Sequence, residues 1–360
     1  MGFLQSEIEK RRIPELFGKA AKGGPVGEDL WRERREQIKE LLSEQFAGYA
    51  TRLSFKTNGT VVREEQNGFG GKAIVKTVQL DIRSDFSHAA FPFQIALPKK
   101  AENPPLFLYL SFTPEIADGI GEEILDEGYA IASVCYQDMA PDYYDEHKNG
   151  LGRFCTRNPF DSWGKLRIWS WGASRILDYI LENESIDEER AAVMGHSRLG
   201  KTALLAGAFD ERFSLTAAIQ SGAGGAALFR GKSGEQIENL NGKGSRLWFA
   251  GNFFEYLGKT EELPFDQHFL LSLIAPRHLY VSSAAEDGWA DPRSEFLGCA
   301  ATSEAFELYG KKGLVTPDKY PETGDVLCEG SIGYHMREGT HYLSRDDWHR
   351  VMDYRSRHHV

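Results

Sequence analysis

The spacing of apolar residues divides this chain into three parts. In the first part, residues 28–46, apolar positions recur at helical spacing among charged ones, and Ile38, Leu41 and Leu42 share one face. This pattern predicts an amphipathic helix. We expect residues 1–50 to form a helical extension that packs on a main domain.

The second part carries the alternation and the short apolar runs that are typical of β-strands. Three such segments lie between Gly and Asn turns, at 51–56, 73–82 and 91–98. We interpret them as antiparallel strands at the N-terminal end of a sheet.

The third part begins after residue 104 and alternates continuous apolar runs with helical patterns. The apolar runs lie at 105–110, 129–136, 191–194, 215–219, 276–281 and 331–335, and a long helix is predicted over 163–181. Strands that are apolar on both faces and alternate with helices indicate a mainly parallel sheet covered on both sides. The predicted fold class is therefore α/β, a three-layer αβα sandwich, with residues 51–360 as one domain.

The run at 191–194 leads into the most informative motif, Gly195-His196-Ser197-Arg198-Leu199-Gly200-Lys201. A serine at the apex of a strand-turn-helix, between glycines that allow close approach, has the arrangement of the nucleophile elbow of α/β-hydrolases. The usual elbow has glycine two residues after the serine, where this chain has Leu199 and places Gly200 one position later. The alternative for the motif by itself is a connection without chemistry.

A nucleophilic serine requires a histidine base, which follows the acid in the chain order of α/β-hydrolases. His341 is the preferred base because it lies in a loop just after the last predicted strand. His335 lies inside that strand and is expected to be structural. The other downstream histidines are His268, His278, His349, His358 and His359.

The segment after the penultimate strand offers the acid. Asp287 is the preferred residue, and Glu286 is its alternative. Asp291 immediately precedes Pro292 and therefore fits the N-cap of a helix best.

Two cationic residues of the serine motif are candidates for substrate contacts. The backbone N–H and the guanidinium of Arg198 are candidate oxyanion donors, although a surface salt bridge is the alternative for its side chain. Lys201 lies one helical turn beyond Ser197, where it either holds a substrate hydroxyl or carboxylate or is a solvated helix position. Together they favour an acidic substrate.

Composition excludes several other classes of function. The net charge of −11, with no basic cluster, disfavours a nucleic-acid partner. No apolar segment is long enough to span a membrane, and the first residues lack a signal peptide, so the expected location is cytoplasmic as written, or secreted if the sequence is trimmed. The four cysteines form no C-x-x-C pair, and no metal or phosphate motif occurs, so neither a metal nor a cofactor is expected.

These motifs resemble those of the glucuronoyl esterases, carbohydrate esterase family 15 of the α/β-hydrolase superfamily, particularly its bacterial members. The resemblance covers about residues 100–360. It rests on the segments 195–201, 221–227, 263–268, 275–277 and 286–292 and on the His341 loop. The displaced glycine of the serine motif is what this family shows.

The resemblance implies hydrolysis of esters between 4-O-methyl-glucuronic acid on xylan and lignin alcohols. It assigns Ser197 as nucleophile and His341 as base, with Arg198 helping to stabilise the oxyanion. Lys201 and Trp289 would line the uronate site, and Glu238 falls near a sugar-contacting position of the family.

The acid of the triad is where this chain departs from many members of the family. Many carry it just before the glycine-rich loop, where this chain has Gln220, which cannot ionise. Others place it after the next strand, which again indicates Asp287.

Three functions are open from the sequence. The preferred one is a serine esterase that acts on a small-molecule or oligosaccharide uronate ester. The second is an acetyl xylan esterase or another small-ester carboxylesterase on the same machinery. The third is a non-catalytic carbohydrate-binding protein, for which Gln220 is the argument. The oligomeric state is left open.

Overall fold

One mixed sheet of ten strands forms the centre of the part of the chain described by the computed structural model, residues 2–18, 27–156, 158 and 160–360. The strands are β1 (Lys56–Asn67), β2 (Ala73–Arg83), β3 (His88–Pro98), β4 (Leu106–Ser111), β5 (Ala130–Cys135), β6 (Ala191–His196), β7 (Phe213–Ile219), β8 (His278–Ala284), β9 (Val326–Leu327) and β10 (Ile332–Arg337). Their order across the sheet is β1-β2-β3-β5-β4-β6-β7-β8-β10-β9.

The sheet is parallel in its middle and antiparallel at both ends. β5, β4, β6, β7, β8 and β10 run parallel to one another. β1, β2 and β3 pair antiparallel at one end, and β9 pairs antiparallel with β10 at the other. The predicted parallel sheet with antiparallel strands at its N-terminal end is confirmed.

Helices cover both faces of this sheet. They are α1 (Phe3–Lys10), α2 (Glu28–Leu42), α3 (Gly68–Gly71), α4 (Asp118–Asp126), α5 (Tyr136–Met139), α6 (Lys165–Asn183), α7 (Arg198–Phe209), α8 (Ile237–Leu240), α9 (Gln267–Ser272), α10 (Pro292–Glu307) and α11 (Arg345–His358). Two hydrophobic clusters form the core, and successive residues of β6 contribute to them in turn. Ala191 and Val193 pack in one cluster, and Ala192 and Met194 pack in the other. The three-layer αβα architecture follows from this alternation.

The first strand differs from the sequence prediction. The predicted strand at 51–56 is wrong, because β1 begins only at Lys56 and runs to Asn67. Most side chains of β1 are exposed, and it pairs with β2 alone. Because β1 buries so few side chains, its sequence has no apolar periodicity from which a strand could be predicted. Its pairing with β2 is made by backbone groups and does not require such a pattern.

The N-terminal extension packs on the sheet domain. Ile38 and Leu42 are fully buried, as the predicted apolar face requires, and α2 continues as a π-helical turn at Ser43–Ala47. Arg35 donates hydrogen bonds to the carbonyls of Leu273 and Ala275. The boundary at residue 50 stays a prediction, and residues 19–26 of the extension lie outside the described residues.

Candidate active site

Ser197 occupies a strained turn between β6 and α7. Its backbone has φ 59° and ψ −127°, and its N–H donates to the carbonyl of Ile219 at 2.9 Å. A Cβ on Gly195 would lie 2.1 Å from the carbonyl oxygen of Leu199, so glycine is required there. A Cβ on Gly200 would lie 3.1 Å from Cβ of Ser221, a tight contact that the neighbouring atoms would have to relieve by a small shift. Strain of this kind concentrates at functional sites.

The structure brings Ser197, His341 and Asp287 into one hydrogen-bonded chain. Nε2 of His341 lies 2.8 Å from Oγ of Ser197, and its Nδ1 lies 2.6 Å from Oδ2 of Asp287. Asp287 is buried, and its Oδ1 accepts the backbone N–H of Ala290 at 3.2 Å. Burial raises the pKa of Asp287, but the hydrogen bond and charge of His341, together with the N–H of Ala290, outweigh this and lower the pKa below its usual value. The carboxylate is therefore ionised and orients the imidazole.

The other candidates for acid and base lie elsewhere. Glu286 is exposed, and its backbone N–H binds the carbonyl of Gly339 at 3.0 Å. Asp291 caps α10 by accepting the N–H of Ser294, as predicted. Imidazole nitrogens of the remaining histidines bind partners outside this chain of bonds: Pro14 for His268, Tyr354 for His278, Asp347 for His335, Glu123 for His349 and Cys328 for His358. His359 is exposed at the end of α11.

A second imidazole, that of His196, lies beside His341. The two ring centroids are 4.7 Å apart. Burial, together with the charge of His341, lowers the pKa of His196 to about 4, so His196 is neutral near pH 7. Its Nε2–H donates to Oε1 of Gln220 at 3.2 Å, and the same oxygen accepts the N–H of Tyr342 at 3.0 Å. Gln220 therefore supports the His341 loop.

Arg198 directly follows the serine and is held by Asp142. Its Nη1 donates to Oδ2 of Asp142 at 2.6 Å, and its guanidinium lies 4.7 Å from the ring of Trp248. Trp248 donates its indole N–H to Oδ1 of the same carboxylate at 2.7 Å. Nε of Arg198 is buried without a hydrogen-bond partner among the described residues. The guanidinium is thus fixed by Asp142 and Trp248 and is not a freely solvated surface cation.

Lys201 is buried and is not a solvated helix position. Its Nζ donates to the carbonyl of Ser221 at 2.6 Å and lies 3.5 Å from Oε2 of Glu235. The backbone N–H of Glu235 donates to the carbonyl of Trp289, whose own side chain is 55% exposed. Lys201, Glu235 and Trp289 therefore form one connected group.

The structure does not place Glu238 in that group. Glu238 lies on α8, and its carboxylate accepts the backbone N–H of Gly258 at 2.7 Å. Glu238 as a sugar contact stays a prediction, and the glutamate that lies next to Lys201 is Glu235, three residues earlier. The two glutamates differ in their contacts, Glu235 with Lys201 and Glu238 with Gly258, and no local sequence signal reveals this difference.

A buried carboxyl group missed by sequence reasoning supports the glycine-rich loop after β7. Oε1 of Glu295 accepts the N–H of Gly222 at 2.8 Å, and Oε2 accepts the hydroxyl of Ser283 at 2.7 Å. Burial is the main cause that raises the pKa of Glu295, to about 7. Glu295 lies on α10, so it ties this helix to the loop that receives Lys201.

The described ranges contain neither a metal-binding cluster nor a membrane-spanning helix. No group of three or more His, Cys, Asp or Glu residues in them is placed to hold a metal ion. None of the helices there has the length and apolarity needed to cross a membrane.

Comparison with known proteins supplies the family. A family model described as "Glucuronyl esterase, fungi" matches residues 80–310. Carbohydrate esterase MZ0003, from an unknown prokaryotic organism, is 31% identical over 98% of this chain and 91% of its own length. The chain belongs to the glucuronyl esterase family. The predicted resemblance is confirmed, and with it the expectation that the chain is an esterase.

Two further similarities lie within the same family. The structure of the glucuronoyl esterase from Solibacter usitatus is 32% identical, with a TM-score of 0.86 over 96% of this chain and 97% of that one. A 4-O-methyl-glucuronoyl methylesterase of Phanerochaete carnosa is 30% identical over 78% of this chain and 68% of its own length. The similarity to the structure of a glucuronoyl esterase therefore extends over nearly the whole chain.

Proposed function

We propose that this esterase hydrolyses esters of 4-O-methyl-glucuronic acid through an acyl-enzyme on Ser197. The observation that carries the proposal is the continuous chain of hydrogen bonds from Asp287 through His341 to Ser197. The relatives named as glucuronoyl esterases and 4-O-methyl-glucuronoyl methylesterases supply the substrate class.

The first half-reaction forms the acyl-enzyme. Oγ of Ser197 attacks the ester carbonyl carbon while its proton passes to Nε2 of His341, and the π electrons move to the carbonyl oxygen. The backbone N–H and the guanidinium of Arg198 stabilise this oxyanion. When the tetrahedral intermediate collapses, the bond to the alcohol oxygen breaks and His341 returns its proton to the leaving alcohol.

The second half-reaction repeats these steps with water. His341 takes a proton from water, the hydroxyl attacks the acyl carbon, and Ser197 leaves with the proton that His341 returns. The uronic acid then ionises. Asp287 stays ionised throughout because its pKa lies below the usual value, and it stabilises the imidazolium that forms in each step.

The charges around the serine complement the transition state of the reaction better than the ground state of the substrate. A uronate ester is neutral, and negative charge appears only in the tetrahedral intermediate and in the product acid. A fixed cation beside Ser197 therefore stabilises the transition state more than the bound ester, which raises kcat. Lys201 and Glu235 offer a donor and an acceptor for sugar hydroxyls, and the exposed ring of Trp289 offers an apolar face for the sugar.

The test compares hydrolysis of benzyl or methyl glucuronate by the wild type, Ser197→Ala and a control, Ser214→Ala. Ser214 lies near the start of β7, where its hydroxyl binds the carbonyl of Ala191. We expect Ser197→Ala to lose about 10³-fold or more in kcat and Ser214→Ala to keep its activity. Undiminished turnover by Ser197→Ala would remove this serine from the mechanism.

A second ester tests the proposed substrate class independently of the proposed nucleophile. p-Nitrophenyl acetate reports on Ser197 without the uronic acid. If the wild type hydrolysed the acetate through Ser197 but left glucuronate esters intact, the triad would stand and the substrate class would be replaced by a small acyl ester. Preference for the glucuronate ester is the expected result.

A further inference from the structure

The loop that carries His341 is exposed, although its imidazole must be held precisely. It connects the end of β10 at Arg337 to the start of α11 at Arg345, and Glu338, Thr340, His341 and Tyr342 are all exposed. Groups that transfer protons in catalysis have to be fixed to within about 0.5 Å by their surroundings. The side chains of this loop bury too little to fix it by packing alone.

The guanidinium of Arg337 holds the backbone of this loop through hydrogen bonds. Its Nη1 donates to the carbonyl of Glu338 at 2.6 Å, and its Nη2 donates to the carbonyls of Thr340, at 3.0 Å, and Tyr342. These three carbonyls lie on both sides of His341. Arg337 is buried, and the ring of Tyr342 covers its guanidinium at 4.1 Å.

The fourth contact of Arg337 ties it to the core. Its Nε donates to Oδ2 of Asp347 at 3.0 Å, and Asp347 is fully buried at the first turn of α11. Asp347 also accepts hydrogen bonds from Ser282 at 2.5 Å and His335 at 3.0 Å. The carboxylate is therefore anchored to two neighbouring strands of the sheet, β8 and β10, and to its own helix.

We infer that Arg337 is a positioning residue for His341. It connects the buried Asp347 to the loop backbone on both sides of the base and so restricts the movement of the loop. The inference rests on the proposed function, because it assumes that His341 is the base. Gln220 contacts the same loop through the N–H of Tyr342, so Arg337 supplies the carbonyl contacts that Gln220 does not make. Five N–H donors in a rigid fork allow one side chain to do this, and a lysine has no such geometry.

The experiment compares Arg337→Lys with a matched control, Arg355→Lys. Arg355 is also buried, and it likewise donates to three backbone carbonyls, those of Leu106, Arg190 and Val360, from near the opposite end of α11. We expect Arg337→Lys to lower kcat by about 10- to 100-fold, because a small misplacement of a catalytic group has effects of this size. KM should stay within about twofold, because no substrate contact is removed. Arg355→Lys should lose stability without losing kcat.

The double variant separates positioning from a general loss of structure. If Arg337 acts through His341, Arg337→Lys should cause no further loss in a His341→Ala background, because residues that act as a unit are not additive. Independent, multiplying effects would overturn the inference, as would full kcat in folded Arg337→Lys. Unchanged activity of His341→Ala would instead show that the proposed base is wrong.

A surface pair keeps the inference testable if Arg337→Lys does not fold. Tyr342→Leu removes the ring over the guanidinium, whereas Tyr342→Phe retains it. Tyr342 is exposed, so both variants should fold. We expect Tyr342→Leu to lower kcat about threefold at unchanged KM and Tyr342→Phe to restore it, consistent with loss of one cation–π contact. Equal kcat values for the pair would count against the role of Arg337.

Discussion

Oδ2 of Asp287 lies 2.6 Å from Nδ1 of His341, in a buried position that the neighbouring Glu286 does not share. Asp287→Asn replaces the acceptor by an amide that favours the wrong tautomer of the imidazole. We expect kcat to fall by about 10³- to 10⁴-fold, whereas Glu286→Gln should stay within about twofold of the wild type. Steady-state kinetics on a glucuronate ester measures both. The reverse ranking would move the acid to Glu286.

Glu235 and Glu238 have similar sequence contexts but different surroundings. Glu235→Gln removes the charge facing Lys201 and should lower kcat/KM for a glucuronate ester about tenfold, the effect of losing one charge-assisted contact. Glu238→Gln retains an oxygen for the N–H of Gly258 and should have little effect. Initial rates for the two variants decide the matter. A larger loss of kcat/KM in Glu238→Gln would identify Glu238 as the sugar contact.

Gly195 and Gly119 test the packing of the serine turn. Gly195→Ala places a Cβ 2.1 Å from the carbonyl of Leu199, and we expect it to destabilise the fold by about 3 kcal/mol. A Cβ on Gly119, an exposed residue of α4, has no heavy atom within 4 Å, so Gly119→Ala should be neutral or stabilising by about 0.5–1 kcal/mol. Urea unfolding gives both values. Wild-type stability in Gly195→Ala would contradict the close approach of strand and helix.

Glu295 should make the stability of the protein fall as pH rises. Its pKa is about 7 in the folded chain, compared with 4.5 for an unperturbed glutamate. Between these values the folded chain holds a proton that the unfolded chain has lost. The stabilisation is therefore complete below pH 4.5 and is lost as pH rises to about 7, on the order of 3 kcal/mol in total.

The measurement is the free energy of unfolding of the wild type relative to Glu295→Gln, which resembles the protonated carboxyl group. The stability of the wild type relative to Glu295→Gln should fall between pH 4.5 and about 7 and stay constant outside that range, within about half a pH unit at each end. A difference that does not depend on pH would mean that Glu295 keeps an ordinary pKa despite its burial.

The groups of the proposed triad could be predicted from the sequence because each has a local signal. Ser197 stands between an apolar strand and a helix of small residues, and Asp287 and His341 each follow a strand in the chain order that the fold requires. β1 had no such signal, since its side chains are mostly exposed and polar.

The supporting residues could not be predicted, because their partners are distant in sequence. Asp142 binds Arg198, which is 56 residues away in the sequence, and Glu295 binds Gly222, which is 73 residues away. Neither carboxylate lies in a motif, and each is defined only by the group it binds. Glu235 and Glu238 are likewise distinguished by contacts with residues distant in sequence, Lys201 for the first and Gly258 for the second.

The polar edge strand β1 affects how this molecule meets other molecules. A ten-stranded sheet leaves an outer row of backbone N–H and C=O groups that another chain can pair with. β1 places Arg63, Glu64 and Glu65 on this border, and its register with β2 shifts between Val61 and Arg63. Charged side chains and irregular pairing are the means by which proteins block strand addition. The residues that conceal β1 from sequence-based prediction therefore also protect the sheet against aggregation.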